Sequence, residues 1–147
     1  MRIDLFVMSS RNPAVQKNAV ARWKICAYGP KDMLVDQKSG LSLIPKATNK
    51  RAALMALRDA LRRFNKAAVI TIYVQDDFVR NMLMANMPER WSQHEWKKYR
   101  YNRDIQHDDL WREIHTLLRS HAVKYATAEA VAESQIFKEM EAKYGRK

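Results

Sequence analysis

The run "AAVITIYV", residues 67–74, is apolar and mostly β-branched from end to end. A stretch of that kind has no polar side to turn toward water, so it reads as a central strand covered on both faces. A strand buried on both sides calls for helices above and below a sheet, which restricts the chain to an α/β layering.

The neighbouring segments supply the layers. In "RIDLFVMS", Ile3, Leu5 and Val7 share one strand face and Asp4, Phe6 and Met8 the other. A polar break follows. "AVARWKICAYGP" reads as a second strand closed by Gly29-Pro30, and "DMLVDQKSGLSLIP" as a weaker third with a Gly-containing bend. Thr48 is placed to cap a helix in which Ala53, Leu57, Ala60, Leu61 and Phe64 recur at helical spacing, with Arg58, Arg62 and Arg63 on the other side. After the central strand, "DDFVRNMLMANM" reads as a helix capped by Asp76 or Asp77, with Met82, Met84 and Met87 as core filler. "PERWSQHEWKKYRYNRDIQ" suggests a short helix and a projecting basic, aromatic loop. "HDDLWREIHTLLRSH" is amphipathic, "AVKYATA" is a fifth strand, and "EAVAESQIFKEMEAKYGRK" is a last helix with a basic tail. The expected order is βββ-α-β-α-α-β-α, with a further short helix before the projecting loop. Residues 1–147 are expected to form one domain, with no repeat and no long linker.

Composition narrows the partners. Lys and Arg number 27 against 16 acids, a net charge of +11. Such a field favours polyanions, nucleic acid first. The surplus is uneven: residues 48–66 hold six basic residues and one acid, and residues 90–103 hold five and one. Cys26 is alone, so neither an internal disulfide nor a cysteine zinc site is available. No apolar run has bilayer-crossing length and the start lacks signal-peptide design; together these suggest a cytoplasmic setting. The four histidines match no zinc spacing, and His121 reads as structural at the edge of the last strand.

Three places in the chain resemble type 1 ribonuclease H. "TNKRAALMALRDAL" is similar to that family's "TNNxxEL" helix start. "VQDDFV" fills the place of its "TDSxYV". "EWKKYRYNR" followed by "DLWREIHTLLRSHAVKYATA" is similar to its basic handle, the following helix and the fifth strand. The resemblance implies a five-stranded mixed sheet with helices on both faces. It also implies cleavage of the RNA strand of an RNA–DNA hybrid by two magnesium ions held on four carboxylates.

At the positions that would carry those carboxylates the chain has Met8, Ala53 and Gln75. The fourth falls at Lys138, with Glu133 and Glu139 as alternatives if the last helix is shifted. The family's "GHxG" loop has no counterpart. Asp76 follows Gln75 directly, but successive strand residues face opposite sides, so it does not replace it. The expectation is therefore no catalytic residue, no metal and no cofactor. The resemblance leaves substrate contacts at Asn12, Thr48, Asn49 and Lys50, and in the handle at Trp91, Trp96, Lys97, Lys98, Arg100 and Arg103. The leading reading is an inactive nucleic-acid binder for an RNA–DNA hybrid or another duplex. A protein-interaction scaffold on the same fold is the alternative, and a residual metal-dependent ribonuclease with a relocated site the third.

Overall fold

A computed structural model describes residues 2–10, 14–98 and 103–144, without the side chains of 97, 98, 103, 104, 143 and 144. Asn12 and Arg100 lie outside the described residues, as do the side chains of Lys97, Lys98 and Arg103.

Strands β1 (Arg2–Ser9), β2 (Gln16–Tyr28) and β3 (Leu34–Ala47) form an antiparallel meander. Helix α1 (Asn49–Leu61) then leads to β4 (Val69–Val74), which runs parallel to β1. Helices α2 (Asp77–Met84) and α3 (Met87–Gln93) follow. Strands β5 (Lys97–Lys98) and β6 (Arg103–Asp104) then pair antiparallel. Helix α4 (Asp108–Leu118), β7 (Ala122–Tyr125), α5 (Ala128–Glu133) and α6 (Gln135–Tyr144) complete the order. The main sheet runs β3-β2-β1-β4-β7. It is the expected five-stranded mixed sheet, with "AAVITIYV" supplying the strand between β1 and β7. No helix among the described residues is long and apolar enough to cross a membrane.

Alternation on β1 divides the interior into two cores. Leu5 and Val7 join Ala53, Leu57, Ile70, Ile72 and Ile114 under α1, α2 and α4. Phe6 and Met8 join Phe137 and Met140 under α5 and α6. Helices thus cover both faces. The second core is smaller and more aromatic: Phe6 stacks on Tyr73 at 4.6 Å and meets Phe137 edge-on at 5.5 Å.

Three local expectations change. Gly40 makes no bend; it lies inside a continuous 14-residue β3 opposite Trp23. A Cβ there would come within 2.4 Å of the indole, so the missing side chain makes room for the ring. The last helix is broken at Ser134, whose extended backbone ends α5. Its hydroxyl then accepts the Phe137 N–H and so starts α6. Met84 is 47% exposed and fills no core.

Candidate functional site

In open α/β sheets, ligands settle in the crevice beyond the carboxyl ends of parallel strands. In this fold that place is the end of β1 and β4. The ladder continues one residue past β4, with the Gln75 N–H donating to the Val7 carbonyl at 3.0 Å. A cavity of about 530 Å³ opens there, and Ser9, Asn49, Gln75, Asp77, Lys138 and Glu141 are among its lining residues.

Two helix starts form one wall. The Thr48 hydroxyl accepts the Arg51 N–H at 3.3 Å and caps α1, as its sequence position suggests. Asp76 caps α2 by accepting the Val79 N–H at 2.9 Å. Asn49 bridges the two caps by donating its Nδ2 to Asp76 Oδ2 at 3.1 Å. Its buried Oδ1 has no hydrogen-bond partner among the described residues. Lys50 places its Nζ 4.4 Å over the ring of Phe78.

The strand end and α6 form the other wall. Gln75 donates its Nε2 to Glu141 Oε1 at 3.2 Å. Lys138 lies one helical turn before Glu141 and faces the same cavity. Beneath them is Arg80, only 5% exposed. Its guanidinium donates to the Val74 carbonyl at 3.0 Å and pairs with Asp77. Both aspartates after the strand are thus engaged, Asp76 as a cap and Asp77 in an ion pair.

The four positions implied by resemblance separate. Gln75 and Lys138 line the cavity; Met8 and Ala53 do not. Met8 is 4% exposed in the α6 core, its sulfur 3.9 Å from the Arg22 guanidinium. Ala53 is 1% exposed in the α1 core, on the opposite side of the sheet. Of the alternatives for the last helix, Glu133 ends α5, while Glu139 lines a separate cavity beside Arg22. Among the described residues, no three His, Cys, Asp or Glu side chains group so as to hold a metal ion.

Sequence reasoning missed Glu141 and Arg80. Glu141 was visible only as the residue three places after Lys138. Arg80 was visible only as the residue three places after Asp77, a spacing at which helical side chains meet.

The handle is rooted in the core. Trp91 meets Trp111 edge-on at 5.4 Å and lies 6.4 Å from Trp96. Trp96 packs on His115 at 5.7 Å, with the Arg112 guanidinium 5.6 Å over its ring. Both indoles are partly buried against the α1-side core, so they anchor the base of the hairpin. His115 holds Glu89 at 2.6 Å, and that bond keeps the Glu89 carboxyl below its usual range.

The basic stretch on α1 is less free than its composition suggests. Arg51 grips Asp109 of α4 with a shortest contact of 2.8 Å, and this hydrogen bond pulls the Asp109 carboxyl below its ordinary value. Arg62 pairs with Glu113 in the same way, its NH2 donating at 2.7 Å. Arg58 pairs with Asp59 at 3.1 Å. These arginines latch α1 to α4 or to its own surface. Lys50, Arg63 and Lys66 remain as the stretch's cations without a carboxylate partner among the described residues.

The RNase H family model matches residues 12–134. The chain belongs to the RNase H family. Its match ends before α6, so it leaves the position of Lys138 in the family unassigned. The ribonuclease H of Chlorobium luteolum is 30% identical over 91 residues, covering 62% of this chain and 60% of the relative. The aligned stretch thus spans about three fifths of that relative's length. Among solved structures, LC9-RNase H1, a type 1 RNase H with the type 2 active-site motif, is similar. Its TM-score is 0.69 at 17% identity, over 84% of this chain and 61% of that one. LC11-RNase H1 in complex with an RNA/DNA hybrid has a TM-score of 0.52 at 13% identity, over 91% of each chain. At those identities the structures carry the RNase H fold alone.

Proposed function

We propose that this RNase H family member binds nucleic acid, an RNA–DNA hybrid or another duplex, and does not cleave it. The observation that carries the reading is the make-up of the strand-end crevice. A two-magnesium site needs clustered, uncommitted carboxylates to hold two dications close together. Here Asp76 caps a helix, Asp77 pairs with Arg80, Glu141 accepts from Gln75, and Lys138 adds a positive charge. That donor set does not fit the metal pair.

Binding is assigned to the hairpin β5–β6 and to the α1 start. Lys97, Lys98, Arg100 and Arg103 would neutralise phosphates, while Asn49 lines the crevice between Thr48 and Lys50 at the start of α1. The complex of LC11-RNase H1 with a hybrid supports the choice of ligand. Because Arg51, Arg58 and Arg62 are paired, α1 contributes less positive surface than its composition suggests.

The test is fluorescence anisotropy on hybrid, duplex RNA and duplex DNA over a salt series without divalent metal. Affinity on duplex DNA should fall as about the 0.9 power of salt per phosphate neutralised. Replacing Lys97, Lys98, Arg100 and Arg103 together by Ala should weaken binding and flatten that slope. Equal binding by wild type and this variant would remove the handle from the account. One observation favours a protein-interaction scaffold as the second reading: edge strand β3 exposes Val35, Leu41 and Leu43, at 52%, 52% and 60%.

A further inference from the structure

The far end of the α1-side sheet face is uncovered. Helix α1 has 13 residues and extends about 20 Å. Strand β2 also has 13 residues but extends about 43 Å. The helix stops at Leu61, and the chain crosses the remaining sheet face as the loop that leads into β4. Strand register shows what lies on this uncovered face. Ile3, Ala27 and Asp36 form one cross-strand row there, and in the next row Leu5 is already buried under α1, beside Ile25 and Lys38.

A cavity of about 710 Å³ occupies the place. It falls within the roughly 300–1,000 Å³ of small-molecule sites. Ile3, Ile25, Phe64 and Ala68 supply apolar walls. The walls are held in place. His121 Nδ1 accepts the Ala68 N–H at 3.0 Å, and the His121 ring meets Phe64 edge-on at 5.1 Å.

The rim is cationic: Lys38, Arg63 and Lys66 stand against one carboxylate, Asp36. The Asp36 carboxylate already accepts the Gln37 N–H at 2.9 Å. Lys38 and Lys66 form no ion pair with a described residue. The Arg63 guanidinium rests 5.7 Å over the Trp23 ring at the mouth.

We propose that this cavity binds a small carboxylate with an apolar body, of the medium-chain fatty-acid class. The chain would lie on Ile3, Ile25 and Ala68, and the carboxylate would meet Lys66 and Arg63. The site lies at the opposite end of β1 and β4 from the crevice, so it stands independently of nucleic-acid binding.

The probes are sodium decanoate, decanol and inorganic phosphate, titrated into 15N-labelled protein. Decanoate should shift the amides of Ile25, Ala68 and Val69 in a saturable way, and decanol should bind more weakly. Lys66→Glu should weaken decanoate about fivefold, the size of a favourable exposed ion pair. Ala67→Trp, at an exposed wall position, should block the cavity while leaving the melting temperature unchanged. Equal affinity for decanol and decanoate would overturn the assignment. So would equal shifts with phosphate alone, or decanoate binding untouched by Ala67→Trp.

Discussion

The two faces of β1 differ in what an acid would meet there. Val7 and its neighbours look into a large aliphatic core closed by α1 and α4. Met8, the next residue, looks into a small aromatic core beside the Arg22 guanidinium. Gln75, at the end of the adjoining strand, faces neither core and lines an open crevice. The positions that resemblance assigns to family carboxylates have therefore entered three environments: Ala53 the dry one, Met8 the intermediate one, and Gln75 the wet one. The lesson is that an acid at these three positions would not meet one environment. Where the position is dry, an apolar residue avoids the cost of burying an unpaired charge. Where it is wet, a neutral polar residue suffices.

Placing acids at these positions one at a time tests this ranking. Ala53→Glu should have the largest effect. The position is 1% exposed, and the new carboxylate would lack room and a cation, costing about 3–5 kcal/mol. Urea unfolding reads this directly, and a loss below about 1 kcal/mol would break the comparison. Met8→Asp should cost less, about 2 kcal/mol, because lost apolar burial is partly offset by a charge-assisted bond to Arg22. Arg22→Met in the same background should remove that offset, which a double-mutant cycle would measure. Gln75→Asp should change stability by less than about 1 kcal/mol, since the side chain is at the crevice rim. Its cost would come from facing Glu141, so Glu141→Gln should relieve it.

The smallest expected effect is a pH slope at the other end of the same strands. Burial holds His121 below its ordinary 6.5, and its Nδ1 must stay unprotonated to accept the Ala68 N–H. The unfolded chain therefore takes up this proton first. Its contribution is fully present above the unfolded value and is lost as pH falls from there through the folded value. His107, buried beside Arg51, is lowered in the same direction. Thermal melts from about pH 7 to about pH 5 should show falling stability, with a shallower slope in His121→Leu. An unchanged slope in that variant would remove His121 from the account.

Much of the fold was legible because its signals are local. Alternation in "RIDLFVMS" separates the two cores, and Thr48 and Asp76 cap helices as their positions suggest. What escaped depends on distant partners. Gly40 reads as a bend until Trp23 is placed across it. Arg51 and Arg62 read as free positive surface until α4 brings Asp109 and Glu113 alongside them. Glu141 entered the crevice because the break at Ser134 sets the direction of α6, and nothing near Gln75 in the sequence points to it.

The most direct test of the central claim pairs binding with cleavage on one substrate. A rigorously purified preparation would be given an end-labelled RNA–DNA hybrid in Mg²⁺ and, separately, Mn²⁺. Anisotropy would follow the intact complex, and gel electrophoresis would follow the RNA strand. The account predicts a saturable, salt-sensitive complex and RNA that stays full-length. Metal-dependent cleavage that disappears in Asp76→Asn or Asp77→Asn would contradict it and place a working metal site at the start of α2.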